Sequence, residues 1–203
     1  MGKLLAEYQQ KHPKVTIEIT LHDHQIDLVE EGYDLTLRIA TLKDSSLIVR
    51  RIAPCHRVVC ASPNYLKQYG TPKTPNDLKK HQCLLYSNNE SVKFWTFENP
   101  HGKKQQVLIN GSLTTNNGGL ICNAAINGMG IAVLPTFIAG DAIRKGELTI
   151  ILDDYPLKSE DISLLFPSNK YLSAKVRAFI DLAVKHFRPP SGKLNKWDEG
   201  LPL

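Results

Sequence analysis

Thr114-Thr115-Asn116-Asn117-Gly118-Gly119 is the run in this chain whose residue types are best suited to holding a ligand. Hydroxyl and amide side chains followed by glycines mark a helix start, where the first backbone N–H groups lack carbonyl partners within the helix. Donors arranged in that way suit a carboxylate or another small anion. The same residues also make a plain helix cap, and their types alone leave both roles open. Ile39-Ala40-Thr41-Leu42 and Pro135-Thr136-Phe137 are two further candidate contact points, each following an apolar strand pattern. In doubly wound sheets ligands gather outside the carboxyl ends of strands. A structural turn competes with that reading at the first place, and at the second Phe137 reads better as core.

Other chemically suggestive runs lead to less. His22 and His24 flank Asp23 on alternate positions of a strand pattern and share a face, but a metal site would need a third ligand such as Asp27. No metal is expected. Gly128-Met129-Gly130 follows a helix pattern and precedes a strand, the reverse of a dinucleotide loop. Asp44-Ser45-Ser46 lacks the glycine-flanked elbow that a serine nucleophile requires, so no catalytic residue is expected. Arg50 and Arg51 point to opposite sides of a strand and suit surface ion pairs better than a phosphate. Cys55, Cys60, Cys83 and Cys122 contain no C-x-x-C pair, and read as small buried thiols rather than zinc ligands. No cofactor is expected.

The elements that must position these residues alternate between helix and strand. An amphipathic helix ends at Pro13, and VTIEITL (15–21) alternates as a strand. A short helix over 26–31, broken by Gly32, precedes strands at 34–39 and 47–53, joined by a polar turn at Lys43-Asp44-Ser45. HRVVCAS reads as a buried strand, and Ser62-Pro63 opens a helix as cap and first residue. Then come a short helix at PNDLKK, a strand at CLLYS and a hairpin of FWTFEN with QQVLING around Asn99-Pro100-His101-Gly102. SLTTNN feeds a helix from Gly119 to Ile126, GIAVLP is a strand, and GDAIRKG a short helix. ISLLFP (162–167) precedes a long amphipathic helix over 171–187. This alternation predicts an α/β architecture with largely parallel sheets.

Bulk properties narrow the class. At 203 residues the chain has room for one large domain or two small ones, and 42% hydrophobic with 22% charged residues is ordinary for a globular protein. No apolar run approaches the length of a membrane span, and the first residues lack the apolar core of a secretory signal. A cytoplasmic protein without membrane contact is the expectation. The net charge of +5 is spread along the chain, which argues against direct DNA binding by these residues.

Residues 25–51, QIDLVEEGYDLTLRIATLKDSSLIVRR, closely resemble the signature DLVEEGYDLxLRxGxLxDSSLxxRR of the effector-binding domain of LysR-type transcriptional regulators. RVVCASPNYLKQYGTP (57–72), the Trp95 and Phe97 region, INGSLTTNNGGLICNAAINGMGIAVLP (109–135) and LSAKVRAFIDLAVKHF (172–187) follow in family order. The resemblance covers most of the chain and is nearest to the CrgA-like branch. It implies two Rossmann-like lobes joined by two crossover strands, similar to type 2 periplasmic binding proteins. Lobe I would hold residues 1–61 and 162–187, lobe II 62–161, with 188–203 as a tail that is extended or ordered by a neighbour. A small, anionic effector would sit between the lobes, touching Ala40, Thr41, Thr115, Asn116, Asn117, Pro135 and Thr136. Ala40 stands where the family often has glycine, which narrows backbone freedom there.

The resemblance also implies a homodimer or higher homo-oligomer, with the helix at 25–31 contributing. Promoter DNA would be reached only through an N-terminal winged helix-turn-helix that these residues do not include. A first strand like G-x-L-R-V-S-A-P is likewise absent, so a strand slot open to another segment or a partner chain is expected. Two kinds of rival function use the same fold. One is a small-molecule-binding protein, either a solute-binding protein working with a transporter, which would need an export signal, or a cytoplasmic binder without a DNA-binding role. The other is an enzyme such as an aromatic-pathway dehydratase, whose Thr-Arg-Phe motif is missing here.

Overall fold

The apolar runs find their ladder partners in separate sheets, and the chain of the computed structural model divides accordingly into two units. Unit 1 comprises Met1–Pro54 and Glu160–Asn195; unit 2 comprises Cys55–Ser159 and Lys196–Leu203. The structure describes residues 1–21, 27–28, 30–39, 47–87, 93–98, 102–168, 172–188 and 194–202.

Unit 1 joins two helices and a three-stranded sheet. Helix α1 (Gly2–Lys11) buries Leu4 and Tyr8, spaced four apart on one face. The Tyr8 hydroxyl donates to the Lys175 carbonyl at 2.7 Å, and its ring meets Phe179 edge-on, both on α5 (Ala174–Phe187). The sheet runs β1 (Thr36–Ile39), β10 (Glu160–Pro167), β2 (Leu47–Cys55), with β1 and β10 antiparallel from Thr36↔Leu165 to Ile39↔Ile162. Arg51 pairs with Asp161 at 2.8 Å on the exposed side, the surface role its type predicts.

Two expectations for unit 1 change. Residues 15–21 join no ladder among the described residues, and Leu21 is 92% exposed. Their β-branched alternation supplies propensity, but a strand exists only when a neighbour takes up its backbone donors and acceptors. In the region expected as helix, the described residues make turns. Glu31 N–H donates to Asp27 carbonyl and Tyr33 N–H to Leu28 carbonyl, with Gly32 at φ 72° in the left-handed region that favours glycine.

Unit 2 is a five-stranded sheet in the order β7 (Gly111–Thr115), β4 (Cys83–Tyr86), β8 (Ile131–Pro135), β3 (Arg57–Ala61), β9 (Thr149–Ile151). Strand β4 runs parallel to both β7 and β8, whereas β3 runs antiparallel to β8 and β9. Val59, Ala61, Cys83 and Leu85 pack on one face with Tyr65, Leu78, Trp95 and Phe97. Val58, Cys60, Leu84 and Leu134 pack on the other with Ile121, Cys122, Ala125 and Ala139. Burial on both faces is why these strands read as unbroken apolar runs.

Around this sheet the local signals act as their chemistry predicts. Helix α2 (Pro63–Tyr69) is capped by Ser62, whose hydroxyl accepts from Tyr65 N–H at 3.3 Å. Thr74 and Asp77 form a reciprocal capping box on the 3-10 turn Pro75–Lys80. Strands β5 (Phe94–Glu98) and β6 (Lys104–Leu108) pair antiparallel as the expected hairpin; residues 99–101 of its turn lie outside the described residues. All four cysteines are buried and free.

The sheets are mixed rather than largely parallel. Strands β10 and β3 lie where the chain passes from one unit to the other, so they enter from outside the strand–helix succession; β10 runs against β1, and β3 against β8 and β9. Strand 57–61, expected in the first lobe, ladders with β8 and β9 in unit 2. Residues 196–202 also pack with unit 2 instead of trailing as an extended tail. The short strand β9 has no clear signal in sequence, and α4 (Thr136–Arg144) begins four residues ahead of the expected Gly140.

Candidate functional site

Three strands of unit 2, β7, β4 and β8, point their carboxyl ends the same way, because β4 is parallel to both neighbours. That edge gathers Thr115, Ser87 and Pro135, with the start of β3 beside them through the pair Arg57↔Pro135. The turns after β7 and β8 are thus separated by a single strand, about 10 Å from one to the other.

Helix α3 (Gly118–Ile126) begins at the first of these turns. Thr115 Oγ1 accepts from Asn117 N–H at 3.2 Å, and Asn117 Oδ1 accepts from Leu120 N–H at 2.9 Å. Ile121 N–H reaches the Asn117 carbonyl at 3.1 Å. The cap thereby uses the deeper donors and leaves the N–H groups of Gly118 and Gly119 uncommitted among the described residues. At the first of them a larger residue would push only on the far end of one side chain. A Cβ on Gly118 would stand 2.6 Å from Ile138 Cδ1 of α4, so the two helix starts touch.

Pro135 and Thr136 form the second turn. Pro135 is half-buried, whereas Thr136 is fully buried. Thr136 N–H and Oγ1 both lie on the His56 carbonyl, at 3.0 and 3.3 Å. Its hydroxyl is therefore engaged in the fold. The following Phe137, expected as core, is 40% exposed because the helix start turns its ring outward.

The structure brings Thr115, Asn116, Asn117, Pro135 and Thr136 to one sheet edge. Ala40 and Thr41 lie outside the described residues, as do His22, Asp23 and His24. Sequence reasoning passed over Ser87 and His56 at the same edge. Ser87 N–H donates to the Thr115 carbonyl at 3.0 Å, extending the β4–β7 ladder into the turn. The end of the CLLYS run could have suggested Ser87, but only the strand order places it between the two turns.

This edge presents hydroxyl, amide and backbone N–H groups. Behind it, burial pushes the Cys60 and Cys122 thiols above their ordinary range, so neither supplies a thiolate at neutral pH. Among the described residues no group of three or more His, Cys, Asp and Glu side chains is arranged to hold a metal ion. No helix among them is long and apolar enough to cross a membrane.

Comparison with known proteins places this geometry. The sequence matches the LysR substrate binding domain family over residues 1–188. It is 41% identical over 172 residues, 85% of this chain and 59% of the relative, to an uncharacterized HTH-type transcriptional regulator of Haemophilus influenzae. It is 30% identical over 187 residues, 92% of this chain and 60% of the relative, to the HTH-type transcriptional activator AaeR of Escherichia coli. The chain thus spans about three-fifths of the length of the curated relatives it matches. Among solved structures it is similar to the regulatory domain of CrgA, a LysR-type transcriptional regulator from Neisseria meningitidis. The TM-score there is 0.80 at 27% identity, covering 91% of this chain and 90% of that one. The regulatory domain of AphB in Vibrio vulnificus gives 0.78 at 29%, covering 91% of each chain. These relatives and the CrgA neighbour are named as transcriptional regulators, not enzymes.

Proposed function

The chain belongs to the LysR substrate-binding-domain family, and from that membership we propose that it is the sensing part of a transcriptional regulator whose effector is a small organic anion. The observation that carries the anionic reading is the start of α3. Gly118 and Gly119 offer two uncommitted N–H groups at the carboxyl end of a parallel strand, where the helix dipole favours negative charge. Thr115, Asn116 and Pro135 stand at the same edge and would give the anion its shape preference, with Ala40 and Thr41 as further contacts from the family pattern. Asn117 and Thr136 would act by fixing the two helix starts, since their side-chain oxygens are engaged by backbone groups.

In this reading the domain works as at least a homodimer, and effector binding shifts an equilibrium between conformations that a DNA-binding segment converts into promoter control. The chain itself holds no catalytic role. The test is a thermal-shift and calorimetric screen of small carboxylates and phosphates, each paired with its neutral amide or alcohol analogue. Saturable binding of an anion without turnover, lost in its neutral analogue, is the expected result. Preference for the neutral member of the pairs would refute the anionic reading, and turnover would refute the sensing one.

A further inference from the structure

The C-terminal segment returns to unit 2 after α5 and seats itself around one buried carboxylate. Asp198 is fully buried and its Oδ2 lies 3.0 Å from His56 Nδ1. Trp197 meets the Phe137 ring edge-on at 6.3 Å. Its carbonyl and that of Glu199 both accept from Arg144 Nη1 at 3.2 Å. Asp141 steadies the same guanidinium through Nη2 at 2.6 Å. Leu201 is buried, and its N–H closes a turn onto the Asp198 carbonyl. A Cβ on Gly140 would stand 2.9 Å from the Trp197 carbonyl oxygen, so the segment lies directly on the α4 backbone.

This seat is specific in shape yet held by a narrow margin. Asp198 Oδ1 is buried with no hydrogen-bond partner among the described residues. A buried carboxylate oxygen left in that way costs free energy, which offsets part of what the docked contacts gain. Arg144, which carries two of those contacts, is itself over a third exposed, and its hydrogen bonds compete with water.

We propose that residues 196–202 are a releasable clasp on unit 2, docked through Asp198, Trp197 and the two carbonyls on Arg144. Docked, it braces α4 and, through His56, the backbone that anchors Thr136. Released, it uncovers Gly140, the Phe137 ring and the His56 imidazole next to the β8–α4 turn. A chain segment that can lift from there sets how firmly that turn is held. The inference rests on the contacts of the clasp alone and stands whatever ligand the domain binds.

The test is ¹⁹F NMR of the full chain with 5-fluorotryptophan, which gives signals for Trp95 and Trp197, assigned with Trp197→Phe. Trp95 is buried in unit 2 and reports whether the fold is intact. Saturation transfer on the wild-type chain is expected to reveal a minor Trp197 state at about 0.1–10%. Its shift should match that of a free peptide of residues 194–203. Asp198→Asn and Arg144→Ala should enlarge that state several-fold and leave the Trp95 signal in place. A Trp197 signal without a minor state in the wild type, unmoved in both variants, would overturn the proposal. If either variant shifts Trp95 as well, the wild-type saturation transfer decides alone.

Discussion

Asn117 separates the cap of α3 from the anion seat in one experiment. Replacement by alanine removes the acceptor that holds Leu120 N–H at 2.9 Å. Loss of such a cap costs about 1 kcal/mol, or about a fivefold rise in the equilibrium for opening the helix. With nine residues, α3 has few turns over which to spread that loss. Asn117→Asp keeps an acceptor at the same place and adds a negative charge at the positive end of the helix. That charge stabilises the helix by about 0.3–1 kcal/mol, so exchange in α3 should slow by about two- to fivefold. The same charge stands where an anion would sit, so binding of any anion found in the ligand screen should be lost. Hydrogen exchange resolved over residues 118–126 measures the first effect, and calorimetry the second. Alanine leaving exchange within twofold of the wild type would refute the cap. Aspartate binding anions as well as the wild type does would refute an anion at the start of α3.

Three other outcomes follow from the packing and the charges. Phe97→Ala should cost about 3–5 kcal/mol in denaturant unfolding, because the ring is fully buried, whereas Phe94→Ala, on the exposed side of the same strand, should stay within about 0.5 kcal/mol; equal effects would mean the hairpin register is wrong. Hydrogen bonds from the Thr74 backbone first, then its hydroxyl and the Lys73 backbone, hold the Asp77 carboxyl below the ordinary 3.8. Its stabilising contribution is present above the ordinary carboxylate value and is lost as pH falls through the lowered one. A carboxyl ¹³C titration midpoint at or above 3.8 would contradict the capping box. Burial pushes the Cys83 thiol up to about 12 and the other three cysteines are also buried, so a thiol reagent at pH 8 should modify none of them until denaturant is added. Rapid labelling of the folded chain would contradict that packing.

Much of the chain was legible because its information is local or repeats with a fixed period. Ser62-Pro63 marks the start of α2 from two residue types, and the spacing of Val176, Ile180 and Ala183 marks the buried face of α5. The polar-to-glycine run at 114–119 marks the start of α3, and signature residues in order mark the family. What failed depends on partners that no local window contains. Residues 15–21 have the alternation of a strand but no ladder, since propensity does not supply a neighbour. The apolar run of β3 predicts a strand, but only its pairing with β8 and β9 says which sheet it joins.

The candidate site divides in the same way. By itself, the sequence determined which residues can cap a helix, follow a strand or offer backbone donors, because these are properties of a few neighbouring side chains. Only the tertiary structure decided that Thr115 and Pro135 share one sheet edge, because the parallel order β7-β4-β8 joins segments twenty residues or more apart in the chain. It also placed Asp198, from a tail that reads as featureless, on His56, a contact 142 residues apart in sequence. Contacts at that separation arise from the folded path of the backbone, and nothing in the residues on either side announces them.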